Sequence, residues 1–167
     1  RIEDLIGFAS IVRDKYITFL KDIANYVLLP ECFVLEQSNR IANLILEKYQ
    51  VQPEFLWEKD PHFGVFRNIY NQKWFGIIMN VDKSKIMPNL SGEIEILNLK
   101  LDDKVGESLK RRGIYPAYHM NKKSWVSIVL DDSLSDEEIM AYVQVSYSLV
   151  SQVQAWIIPA NPLVYDI

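Results

Sequence analysis

Between Lys110 and Leu130 the sequence KRRGIYPAYHMNKKSWVSIVL carries five basic side chains, Lys110, Arg111, Arg112, Lys122 and Lys123, and no carboxylate. Tyr115, Tyr118 and Trp125 are interleaved with them, together with His119 and Asn121. A nucleic-acid surface requires cations that neutralise phosphates, beside flat aromatic faces and amide groups that reach bases or sugars. The whole chain of 167 residues has net charge −4, so everything outside this stretch sums to −9. That distribution excludes a uniformly basic, wrapping binder and leaves a localised contact open. Each piece also has a plain structural use. Arg111 and Arg112 precede Gly113, where cations favour a helix C-terminus. Lys122 and Lys123 suit a solvated turn, and Tyr118 and Trp125 suit cross-strand packing.

Other chemistries find less support. The two histidines, His62 and His119, and the single Cys32 show no CxxC, HxxxH or HExxH spacing, so no zinc site is expected. No phosphate-cradling GxxxxGK[ST] or GxGxxG turn and no GxSxG elbow occurs, and Cys32 has no visible base. The pairs Asp102/Asp103 and Asp131/Asp132 and the run Asp136/Glu137/Glu138 sit where helix starts or turns use carboxylates. A metal-binding ridge through Asp131, Asp132 and Glu138 is the weaker alternative. A non-enzymatic protein without cofactor is therefore expected. One cysteine cannot form an intramolecular disulfide, so a reducing compartment is the default. The apolar stretch Ile2–Leu29 is interrupted by Arg13, Asp14, Lys15, Lys21 and Asp22, short of the ~20 apolar residues a membrane span needs. Glu3 and Asp4 do not fit a signal peptide, and a cytoplasmic protein is expected. The chain opens on Arg1 rather than Met, so a native N-terminus is expected upstream.

The elements follow from periodicity. Ile2, Leu5, Ala9, Val12, Tyr16, Leu20, Ile23 and Val27 predict an amphipathic helix over 2–29. A second helix is expected from a Ser38 or Asn39 cap through Ile41, Leu44, Ile45 and Tyr49, stopping before Pro53. Phe63–Ile69 and Trp74–Val81 read as strands, with Phe75, Ile77, Met79 and Val81 facing the core. Leu97, Leu99 and Leu101 mark a third strand, and Asp102 or Asp103 starts a short helix ending at Gly113. Tyr115–Met120 and Trp125–Leu130 read as a hairpin across Asn121-Lys122-Lys123. A two-residue loop would pair Met120 with Trp125; a three-residue loop would pair His119 with Trp125 and free His119 for a ligand. Ser135 and Glu138 form a capping box for a last helix that buries Ile139, Val143, Tyr147 and Val150. Adjacent strands with short turns, flanked by helices, imply an α+β fold with an antiparallel sheet.

Pro116-Ala117-Tyr118-His119-Met120-Asn121-Lys122-Lys123-Ser124-Trp125, followed by a strand and Asp131-Asp132, resembles the P-x-Y-H-x-N-K-x-x-W motif of the MmcQ/YjbR family. Asn98-Leu99-Lys100-Leu101 and Ser146-Tyr147-Ser148-Leu149-Val150 extend the likeness, which covers about residues 40–151. The resemblance implies a CyaY-like α+β fold, an antiparallel sheet with helices on one side, and DNA binding through hairpin wings. It passes that role to Tyr118, His119, Asn121, Lys122, Lys123 and Trp125, with the lysines on phosphates and Asn121 on a phosphate or base edge. Arg111 and Arg112 join them from the charge pattern. The expected organisation is an N-terminal helical extension over 1–37, the family-like domain over 38–153, and a C-terminal segment over 154–167. That segment resembles the first strand of a PUA/EVE-like domain, and would alternatively be a last strand on the same sheet. DNA is the expected partner. The alternative is a non-catalytic protein-interaction or oligomerisation domain docking through the 2–29 helix.

Overall fold

The computed structural model describes residues 7, 10–19, 31–101 and 113–151. The chain divides into two compact units between Val34 and Leu35. In the first, residues 10–19 form helix α1. The second holds helix α2 (Glu36–Tyr49), strands β1 (Glu54–Phe55), β2 (Gly64–Arg67), β3 (Trp74–Asp82), β4 (Glu93–Lys100), β5 (Ile114–Pro116) and β6 (Trp125–Val129), and helix α3 (Asp136–Ser151). The strands form one antiparallel sheet in the order β1-β2-β3-β4-β6-β5. The α+β architecture expected from periodicity is therefore the one adopted. The short helix expected over 102–113, the segment 154–167 and much of 2–29 lie outside the described residues. Among the described residues no helix is long and apolar enough to cross a membrane.

Both faces of the sheet are buried, which corrects the one-sided reading of β3. Phe66 opposes Gly76 and Arg67 opposes Trp74, so Phe75 is an extra residue in its strand. The bulge returns Trp74 to the face of Ile77, Met79 and Val81 and sends Phe75 to the other. On Phe75's face lie the helices. Tyr147 of α3 meets the Phe75 ring at 5.1 Å, and Tyr49 of α2 stacks on Tyr147 at 4.2 Å. The Ser146 hydroxyl donates to the Phe75 carbonyl and accepts the Lys100 N–H at 2.9 Å. Ser146 is fully buried and Tyr147 only partly, so the inward stripe of α3 includes a serine that hydrophobicity alone passes over. The opposite face gathers Val65, Ile77, Met79, Val81, Ile94, Ile96 and Val129, roofed by Ile86 and by half-buried Phe63, Trp74, Tyr118 and Met120.

Helix ends follow local chemistry. Ser135 and Glu138 form the reciprocal capping box, each backbone N–H donating to the other's side-chain oxygen at 3.2 Å. Helix α2 differs from expectation: its N-cap is Leu35, without a side-chain cap, and Ser38 and Asn39 lie inside the first turn. The Leu35 N–H instead donates to Glu95 Oε2 at 2.8 Å, so a carboxylate from β4 replaces the missing cap. Gln50 ends the helix in the left-handed conformation, φ 56°, three residues before Pro53. Gly113, φ 87°, enters β5 where an added Cβ would lie 2.8 Å from Ser133 Oγ, so glycine is required there for conformation and for space.

An ionic clasp joins α2 to the start of α3. The Arg40 guanidinium donates to Asp136 Oδ2 at 2.7 Å and also to Asp132, and Gln37 Nε2 donates to Asp136 Oδ1 at 3.0 Å. Arg40 holds the Asp136 carboxyl below its ordinary value of 3.8. A carboxyl depressed on folding contributes stability above its unfolded pKa, and that contribution disappears as pH falls through the folded value. Asp136→Asn is therefore expected to lower stability at neutral pH. It should also flatten the loss of stability below about pH 4, read by urea denaturation across pH.

Candidate nucleic-acid interface

The Pro116–Trp125 segment is not the tight hairpin expected. Strand β5 ends at Pro116, opposite Val126, and residues 117–124 form an eight-residue loop. Neither anticipated register occurs, because Met120 and His119 lie in the loop and pair with no strand residue. The cause is a set of hydrogen bonds that extended pairing would forbid. The Tyr118 N–H donates to Ser127 Oγ at 2.9 Å, and the Tyr118 carbonyl accepts from Asn98 Nδ2 at 2.8 Å. The Ser127 hydroxyl completes the network by donating to Asn98 Oδ1 at 2.6 Å. Asn98 and Ser127 are wholly buried and directly opposite on β4 and β6. An unpartnered amide at that depth would be costly, so the loop supplies its partner.

Beyond this anchor the chain turns sharply. His119 takes φ 56°, a left-handed conformation uncommon for a residue with a Cβ, and its ring packs at 4.0 Å from the Tyr118 ring. Asn121 then organises a turn: its Oδ1 accepts the Lys123 N–H at 3.0 Å, and its carbonyl accepts from Ser124 and Trp125 at 3.1 and 2.9 Å. Lys122 and Lys123 are exposed at the tip. A bond of 2.9 Å from the Leu101 N–H to the Ser124 carbonyl ties the loop to the end of β4.

The residues singled out from sequence therefore divide. His119, Asn121, Lys122 and Lys123 come together on one exposed loop. Tyr118 and Trp125 are half-buried, and Tyr118 packs into the apolar cluster on the sheet face away from the helices. Asn121 spends its carboxamide oxygen on its own turn, which leaves its amide nitrogen as the group facing outward chemistry. Arg111 and Arg112 lie outside the described residues. Sequence reasoning passed over Lys100, which stands opposite Trp125 across β4 and β6 and so adds a cation beside the loop. Only the strand register reveals that neighbour.

The acidic ridge considered from sequence is engaged in structure-building. Asp131 Oδ1 accepts the Ser133 N–H at 3.1 Å, Asp132 pairs with Arg40, and Glu138 belongs to the capping box. Among the described residues no group of three or more His, Cys, Asp or Glu side chains is placed to hold a metal ion.

A second feature adjoins the loop. Trp57, Asp60, Phe63, Trp74, Ile77, Met79, His119 and Met120 surround a cavity of about 290 Å³ on the face away from the helices. Trp57 and Asp60 come from the β1–β2 connection, a region that carried no sequence signal for a site.

A six-stranded antiparallel sheet with two helices on one face, and a Pro-x-Tyr-His-x-Asn-Lys loop braced from a buried Asn–Ser pair, defines the class. The chain belongs to the YjbR family, whose model matches residues 46–149. It is 40% identical over 106 residues to the uncharacterized protein YyaQ of Bacillus subtilis strain 168, an alignment covering 63% of this chain and 90% of that one. A crystal structure of a Pseudomonas syringae protein, 34% identical, superposes with a TM-score of 0.65 over 70% of this chain and 98% of that one. A solution NMR structure of a P. syringae protein, 33% identical, gives a TM-score of 0.63 over 71% of this chain and 94% of that one.

Replacing Ser127 by alanine removes both the acceptor for the Tyr118 amide and a donor to Asn98. A loss of about 1–3 kcal/mol is expected in urea denaturation, with faster hydrogen exchange at the Tyr118 amide.

Proposed function

We propose that this protein is a DNA-binding module that contacts the phosphate backbone through the loop of residues 117–124. The observation that carries the reading is a segment of charge +5 in a chain of net −4, with its two central lysines exposed at the tip of a braced loop. Lys122 and Lys123 neutralise phosphates, Lys100 extends the patch, and Asn121 Nδ2 reaches a phosphate or base edge; Arg111 and Arg112 enter the reading through the charge of the sequence segment alone. His119, exposed beside the lysines, adds a further donor. Tyr118 and Trp125 support the loop from below rather than offering open stacking platforms. The −9 carried elsewhere orients the patch and repels the other faces. The CyaY-like character of the fold and a cytoplasmic location belong to the same reading.

Fluorescence anisotropy with duplex DNA tests it. Lys122→Ala combined with Lys123→Ala should weaken binding to a similar degree across sequences, and the parent protein should show a log–log salt slope of about −2 to −4. Binding at low salt no stronger than that of a net-acidic control protein would sink the idea.

A second reading rests on α1. Val12, Tyr16 and Phe19 recur at i, i+4 and i+7 and are exposed, a stripe suited to another copy or a protein partner. Light scattering after size exclusion should then show a dimer that disappears on deleting 2–29; a monomeric parent chain counts against it.

A further inference from the structure

We propose that the cavity beside the loop is an aromatic cage for a small trimethylammonium-type cation. The inference does not rest on the DNA reading, since it uses opposite charge chemistry and, apart from His119 at the border, other side chains. Three rings wall the cavity, and Trp57 stands nearly at right angles to each of the other two. Trp57 stands at 90° to Trp74 with centroids 5.9 Å apart, and at 77° to Phe63 at 6.2 Å. Asp60 lines the same space, and the thioethers of Met79 and Met120 add soft, polarisable walls. Ile77 and Met79 are buried and form the floor, whereas Trp57, Asp60 and His119 are exposed and form the mouth.

Ligand chemistry follows from this geometry. A nucleobase stacks best on a broad parallel face, and the orthogonal pair Trp57 and Trp74 offers a flat ligand only one of its two walls at a time. A compact cation is attracted by every ring face it approaches, so a corner of perpendicular rings suits it. A carboxylate at the mouth adds charge of the required sign. Trp74 already takes part in one cation–π contact, with the Arg67 guanidinium 5.4 Å from its ring centroid, and Glu54 Oε2 pairs with that guanidinium at 3.0 Å. At about 290 Å³ the cavity accepts a headgroup rather than a larger organic molecule. The shape is preset: the Asp60 N–H donates to the Trp57 carbonyl at 3.3 Å and the Phe63 N–H to the Asp60 carbonyl at 3.1 Å, so two successive turns present the three residues.

Tryptophan fluorescence and calorimetry on the full chain test the proposal. The probes are choline, its uncharged carbon isostere 3,3-dimethylbutanol, a trimethyl-lysine peptide, phosphatidylcholine vesicles and thymidine. Saturable binding of a trimethylammonium probe, clearly tighter than the isostere, is expected. Asp60→Asn should weaken it roughly fivefold to tenfold, and Trp57→Ala should abolish it. Trp57 is 37% exposed, so that variant is expected to fold, with thermal denaturation as the check. Capture of the peptide or the vesicles, lost in Trp57→Ala, supports the cage and names the source of the headgroup. Failure of all three trimethylammonium probes, equal affinity for the isostere, or binding of thymidine alone overturns it. None of these outcomes touches the DNA titration of Lys122 and Lys123.

Discussion

The Asn98 side chain, wholly buried on a central strand, donates to the Tyr118 carbonyl and accepts from the Ser127 hydroxyl, which in turn accepts the Tyr118 amide. Much of the candidate interface depends on this closed network. A carboxamide and a hydroxyl facing each other inside a sheet must find partners, because leaving either unmade costs its full desolvation. The loop satisfies both, and by doing so it leaves the strand path after Pro116. His119 is then forced through a left-handed conformation, and the two lysines are carried out to solvent on a turn closed by Asn121. Position and exposure of the charged tip are consequences of polar satisfaction at the sheet.

The second organising constraint is that the sheet has no free face. Helices α2 and α3 cover one side through Tyr49, Tyr147 and Ser146. The other side is covered by loops: Ile86 beyond β3, Phe63 ahead of β2, and Tyr118 with Met120 from the braced loop. A loop roof is thinner and less continuous than a helix, and the cavity lined by Trp57, Phe63 and Trp74 lies within it. The bulge at Phe75 makes both arrangements compatible, sending one aromatic ring to the helices and its neighbour Trp74 to the cavity.

These constraints explain a division of labour around the loop. Tyr118 and Met120 face inward and hold it down, while Asn121, Lys122 and Lys123 face outward. A motif that reads as one basic and aromatic string is thus split by the backbone into a supporting half and a presented half. The family match spans this loop, and the Pseudomonas syringae crystal structure is similar in overall fold.

Much of the fold was legible in the residues. Period-two alternation marked β3 and β4, the Ser135–Glu138 pair marked the start of α3, and the charge map located the basic segment. These signals are local, set by side chains within a few residues of one another. The start of α2 was misplaced because its first amide is capped by Glu95, sixty residues away. The inward side of Phe75 was misassigned because a bulge breaks the alternation that sequence can only extrapolate. The hairpin register failed because Asn98 and Ser127, distant in the chain, decide it by what they need when buried. Lys100 beside Trp125, and Trp57 with Asp60 beside His119, exist as neighbours only once the strands are paired. Composition and periodicity by themselves determined the α+β class and the place of the positive charge, since both depend on near neighbours. Tertiary structure alone decided which of those residues face solvent and which enclose a cavity, since that depends on hydrogen bonds and packing closed across the sheet.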